Sequence, residues 1–135
     1  MSLVVELGTL ESEFADAWND LTPIEFENDG TFKPPANQAS YVRFVLLQGD
    51  SQLMGGRGNG VGRYRHFGVI QIDCYAREGN GTKAALSLAD SACAIFREKR
   101  ISDVLCRTPR ISKPAGYGGY YRVTVSIEYQ RDEFF

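Results

Sequence analysis

Leu3, Leu7, Leu10, Phe14, Trp18 and Leu21 recur at steps of three and four, which places them on one face of a helix. Ser2 precedes the stripe as an N-cap. Glu6, Glu11, Glu13 and Asp16 fall mostly off it, and Asn19-Asp20 with Thr22-Pro23 supplies the stop. Ile24-Glu25-Phe26 alternates as a short strand does, after which Asn28-Asp29-Gly30 and Pro34-Pro35 break regular structure to about Ala39. From Tyr41 to Gln48, Val42, Phe44 and Leu46 mark one face of a strand and Tyr41, Arg43 and Val45 the other. A second strand, from about Tyr64 to Ala76, carries Gly68, Ile70, Ile72, Cys74 and Ala76 on one side, and the two are expected to pair as a hairpin. Their connection, Gly49 to Gly62, is glycine-rich and contains Met54, Arg57 and Asn59. It reads as a flexible arm, of a length that is usually functional or disordered.

The same reading continues through the second half. Ala85, Leu86, Ala89, Ala92, Cys93 and Phe96 form a helical stripe between Thr82 and about Lys99, with Thr82 as cap and Arg97, Lys99 and Arg100 at the end that favours positive charge. Val104-Leu105-Cys106 is a short strand, Ile111 opens another, and Lys113-Pro114-Ala115-Gly116 turns the chain. Tyr121, Val123, Val125, Ile127 and Tyr129 then alternate with Arg122, Thr124, Ser126, Glu128 and Gln130. One dry and one wet face argue for a sheet covered on one side. The expected class is α+β: a mainly antiparallel sheet of about four to six strands with two helices packed on one face, residues 1–135 forming one domain.

Composition narrows this picture without redirecting it. With 43% hydrophobic and 24% charged residues among 135, the chain is an ordinary globular one. Its apolar runs fall far short of the roughly 20 residues that cross a bilayer, and its N-terminus lacks a basic segment followed by an apolar stretch and a small-residue cleavage site, so no membrane partner and an intracellular location are expected. Cys74, Cys93 and Cys106 are odd in number and form no Cys-x-x-Cys pair, which predicts buried, reduced, inert thiols. A net charge of −2 removes the simplest electrostatic case for nucleic-acid binding.

Candidate chemistry fails for stated reasons. The single histidine, His66, has no ligand residues at metal-binding spacing, and no serine sits in a Gly-x-Ser-x-Gly elbow to recruit it. Glu11 with Glu13 diverge on a helix, and Asp132 with Glu133 read as solvated charges in a frayed terminus. Gly79-Asn80-Gly81-Thr82-Lys83 joins a strand to a helix, but its order and spacing differ from a phosphate-binding loop. The glycines from Gly55 to Gly62 miss the dinucleotide spacing. No catalytic residue, cofactor or metal is expected. Arg57, Arg63 and Arg65 with Tyr64 and His66 make a basic, aromatic cluster beside the arm, read as a solvated rim with a nucleic-acid contact as the alternative. Tyr117, Tyr120 and Tyr121 among glycines form a loop with exposed aromatic potential, a frequent mark of protein interfaces.

The order of features carries a resemblance. An acidic amphipathic helix ending Phe14 to Trp18 is followed by Thr22-Pro23-Ile24-Glu25-Phe26-Glu27-Asn28, then Phe32-Lys33-Pro34-Pro35, then Tyr41-Val42-Arg43. This resembles the tail terminator, or tail completion, proteins of long flexible-tailed bacteriophages and their prophage copies, across most of the chain. The resemblance implies a structural subunit without enzymatic residues, made in the bacterial host cytoplasm and built into the virion tail. It also implies self-association as a ring, commonly a hexamer, that caps the major tail tube protein and then meets the head–tail connector or neck protein, with passing contact to DNA in the channel. Contacts with partners are expected on loops: Met54, Arg57, Asn59, Arg63 and Arg65 at the arm, Phe32, Pro34 and Pro35 in the proline loop, and Tyr117 and Tyr120 in the aromatic loop. A head-completion or neck protein and a small nucleic-acid-binding module stand as alternatives.

Overall fold

The computed structural model describes residues 2–56, 58, 60–79, 81–116 and 118–134. Helix α1 spans Leu3–Trp18; the Ser2 hydroxyl accepts a hydrogen bond from the Val5 amide at 3.2 Å, and the helix ends where Asn19 turns left-handed at φ 50°. Strand β1 is Ile24–Phe26, followed by a loop with a single 3₁₀ turn at Ala36–Gln38. Then come β2 (Tyr41–Gly56), β3 (Gly62–Arg77), α2 (Lys83–Phe96), β4 (Arg100–Ile101), β5 (Val104–Cys106), β6 (Arg110–Ser112) and β7 (Tyr120–Phe134). The strands form one seven-stranded sheet in the order β1-β2-β3-β7-β5-β4, with β6 also paired to β7.

The sheet is α+β in class and mixed in direction. All of its pairings are antiparallel except β1 with β2, which is parallel. The long connection over residues 27–40 gives the chain room to cross back before β2 begins, as a parallel pair requires. The strand count exceeds the four to six expected by β4, which at two residues is too short to display an alternation; the short strands at Ile24–Phe26 and around Ile111 are present as β1 and β6.

Three registered rows make the inner face: Val42, Phe44 and Leu46 stand opposite Cys74, Ile72 and Ile70, which stand opposite Val123, Val125 and Ile127. Leu10, Phe14 and Trp18 of α1 and Ala85, Ala89, Ala92, Cys93 and Phe96 of α2 close over these rows in one buried cluster. Phe14 stacks on Phe44 at 5.3 Å between ring centroids and also touches Trp18 and Phe96. Burying a ring of this size contributes roughly 2–3 kcal/mol, so the period-four stripe of α1 is what holds that helix to the sheet. Thr82 stands at the N-cap of α2 without a side-chain capping bond, and Arg97, Lys99 and Arg100 lie just beyond the helix.

Two expectations at the far end of the sheet are corrected. The Gly49–Gly62 connection is for most of its length a continuation of the hairpin, with β2 running to Gly56 and β3 resuming at Gly62. Its side chains show no core pattern because this part of β2 is exposed on both faces; the backbone ladder to β3 extends it. Register shifts between Gln48 and Ser51 and between Leu53 and Gly55 mark bulges that raise its twist. The chain after Gln130 likewise continues β7 to Phe134, with Asp132 opposite Arg65 and Glu133 opposite Tyr64.

Candidate assembly surface

Beyond the helices, β2, β3 and the end of β7 project as a three-stranded arm, and its two faces carry different chemistry. On the outer face, Arg65 grips Asp132 through Nε at 2.8 Å and a second nitrogen at 3.2 Å, while Arg63 Nε approaches the same carboxylate at 3.7 Å. This two-pronged bond holds the Asp132 carboxyl below its ordinary range. On the inner face, His66 Nε2 meets Glu133 Oε1 at 3.0 Å and its Nδ1 faces the Ser51 hydroxyl. Burial pushes the Glu133 carboxyl up, but the hydrogen bond and charge of Arg131, together with other nearby groups, leave it lowered.

Glu133 also joins the arm to the body. Arg131 donates to Glu133 at 3.2 Å and to Glu6 of α1 at 2.7 Å, and Gln48 of β2 donates to Glu6 at 2.8 Å. Glu6 and Arg131 are buried, so the pairing balances two charges that neither could leave uncompensated. The buried Tyr129 hydroxyl makes no hydrogen bond of good geometry among the described residues. Burial first, and then the charge of Glu6, raise that phenol well above its usual range. This polar chain was missed in the sequence. Its signal was present: Glu6 keeps four-residue spacing with Leu10, Phe14 and Trp18, and Arg131 continues the inner alternation of β7.

Among the described residues no α-helix packs on the outer face of the sheet. Leu47 and Phe67 remain exposed there and line, with Val69, a hollow of about 470 Å³. A second hollow of about 410 Å³ lies at the arm tip between Met54, Val61, Arg63 and Phe134. At the other end of this face Tyr41, Tyr75 and Tyr120 pack together beneath Phe32, with Tyr41 and Tyr75 stacked at 4.6 Å. The Tyr120 hydroxyl donates to the Ala39 carbonyl at 3.3 Å. Thr124 donates to the buried Asp73 at 2.6 Å.

These contacts sort the residues expected to meet partners. Met54 and Arg63 are accessible on the arm, and Arg65 is half-buried against Asp132. Phe32 and Pro35 are half-buried and Pro34 exposed. The exposed aromatic loop is a correction for Tyr120, buried in the tyrosine cluster, and for Tyr121, which packs against the main core; both belong to β7, whose alternation drives them into the two layers. Arg57, Asn59 and Tyr117 lie outside the described residues. The basic and aromatic cluster is divided by strand alternation, with Arg63 and Arg65 on one face and Tyr64 and His66 on the other.

Among the described residues no three His, Cys, Asp or Glu side chains converge as a metal site, and no helix is long and apolar enough to cross a membrane. Cys74, Cys93 and Cys106 are free and buried.

No curated protein matches the chain in sequence. One solved structure, 20% identical, superposes with a TM-score of 0.70 over 100% of this chain and 98% of its own; at that identity the likeness concerns the fold. Residues 8–129 match the phage tail terminator protein family, a stretch that takes in α1 from Gly8 onward, all of α2 and β7 as far as Tyr129. The chain belongs to the phage tail terminator family, and is a structural component of the virion tail.

Proposed function

We propose that the chain, acting as one domain, assembles with copies of itself into a ring, commonly a hexamer, that caps the tail tube and then presents its free side to the head connector. The observation that carries this reading is the family match over residues 8–129. The architecture supports it: a helix-covered layer stabilises the subunit while an exposed sheet face and a projecting arm are left for neighbours. The subunit has no catalytic step to perform, is made in the host cytoplasm and ends in the virion. Its contact with DNA is that of a channel wall.

Incubation with the tail-tube protein of the same phage, followed by negative-stain microscopy, tests the reading. Rings seated on tube ends, and tubes of limited length, are the expected result; subunits that stay monomeric and leave tubes uncapped overturn it. A neck protein instead joins the connector in a pull-down without any tube present. A nucleic-acid module is disfavoured by the pairing of Arg63 and Arg65 with Asp132, which spends the charge that phosphate contacts need.

A further inference from the structure

The two long edges of the sheet differ in a way that suits one to the other. On one side β1 pairs with β2 only from Val42 to Phe44, so among the described residues no strand covers the outer edge of β2 from there to Gly56. Exposed edges are ordinarily blunted by lysine, proline or inward charge. Between Leu46 and Gly56 this edge has neither lysine nor proline, and Asp50 is its single charge. It is exposed throughout from Leu47 to Gly56. The opposite edge is β4, two residues long, with exposed Arg100 at its start.

The registers place these two charges at one height. Gly49 and Asp50 lie in the bulge between Gln48, opposite Gly68, and Ser51, opposite His66, and so face Phe67. Phe67 stands opposite Gln130, Gln130 opposite Leu105, and Leu105 opposite Arg100. Among the described residues neither Asp50 nor Arg100 forms an ion pair within 4 Å, although the charge of Arg100 reaches Asp132 across a shared cleft. Four antiparallel steps separate β2 from β4, so the two strands run in the same direction. A second copy related by rotation about an axis along the strands therefore brings its β4 beside β2 without reversing it. Arg100 also borders a cleft of about 190 Å³ shared with Asp103, Leu105 and Gln130, room for the side chains of an incoming edge.

We propose that the free edge of β2 around Asp50 docks on the β4 edge of a second copy, with Asp50 paired to the neighbour's Arg100. Such a contact uses different surfaces on its two sides and propagates head to tail, closing as a ring when the rotation divides a full turn. The proposal rests on the ring reading and names the surface that makes it.

Paired cysteines test it. Within one chain Asp50 and Arg100 are four strand spacings apart, about 19 Å, well beyond the roughly 7 Å limit for a disulfide, so any bond between cysteines placed there joins two copies. The variant Asp50→Cys with Arg100→Cys, assembled on tail-tube protein and oxidised, is expected to run as a covalent ladder on non-reducing gels. Rings seen by microscopy without a ladder overturn the edge contact and leave the ring reading intact; no rings with the unsubstituted protein overturns both. Charge exchange is the second arm. Asp50→Arg and Arg100→Asp each lose assembly while remaining folded by circular dichroism, and the double exchange restores it; a double variant no better than either single overturns the pairing.

Discussion

Glu6 on α1 and Arg131 on β7, 125 residues apart in the chain, form an ion pair at 2.7 Å with both side chains closed off from water. Breaking a buried ion pair by removing one partner typically costs about 3–5 kcal/mol, and the loss of Glu6 falls at the lower end because Arg131 keeps Glu133 at 3.2 Å. Glu6→Ala is therefore expected to lower the unfolding free energy obtained from urea curves by about 3 kcal/mol, and the double variant Glu6→Leu with Arg131→Met to recover most of the loss. Equal stability of Glu6→Ala and the parent protein would contradict the buried pairing.

Acid should loosen the arm. Asp132 is held below its ordinary range chiefly by the hydrogen bond from Arg65. A carboxylate depressed in the folded state adds stability above its unfolded value, near 4, and loses it as pH falls through the lower folded value. Thermal unfolding followed between pH 6 and 2 is expected to show stability falling below about pH 4. Asp132→Asn flattens that limb and leaves the curve near neutrality lowered. Because the pair is partly exposed, the effect is modest and shrinks with salt.

The thiols should be silent. Burial raises Cys74 to about 12 and Cys106 to about 11, and Cys93 moves in the same direction for the same reason. Since the thiolate is the reactive form, iodoacetamide at pH 8 is expected to label none of the three in the native protein and all three in denaturant. Mass spectrometry reads the count directly; a thiol labelled before unfolding would contradict the packing.

Two glycines should respond in opposite directions to the same added methyl group. Gly68 lies against the ring of Tyr129, which occupies the place a Cβ would take, so Gly68→Ala is expected to destabilise by about 1–3 kcal/mol. Gly8 sits in the exposed part of α1 with open space around it, so Gly8→Ala is expected to stabilise by about 1 kcal/mol. Unfolding curves for the two variants check both signs.

What could be read from the chain follows burial. The alternation of β7 announces its strand because its inner positions are dry and most of its outer ones wetter, whereas β2 from Tyr41 to Leu46 is buried on both faces but for Arg43 and shows itself through its run of aromatic and aliphatic residues. The stripe Leu10, Phe14, Trp18 announces α1 through its one dry face. The arm was silent: Asp50-Ser51-Gln52 and Leu53-Met54-Gly55-Gly56 touch solvent on both sides, and their strand conformation comes from hydrogen bonds to β3, a partner no local pattern encodes. The division of the Arg63, Tyr64, Arg65, His66 run followed from strand alternation once β3 was known to begin at Gly62. The family, by contrast, was legible in the order of loop motifs between Trp18 and Arg43.

The position of β7 has a consequence for how the molecule is made. This strand lies between β3 on one side and β5 and β6 on the other, yet it follows all of them in the chain. During synthesis α1 and the β2–β3 hairpin emerge first, and Glu6 waits for Arg131 until more than a hundred further residues have been added. Contacts of such long sequence separation are paid for in loop closure before they stabilise anything. The edge of β3 that β7 will occupy meanwhile lacks its strand partner, so folding is expected to complete in one late step, when β7 zips along β3 and locks the first helix in place.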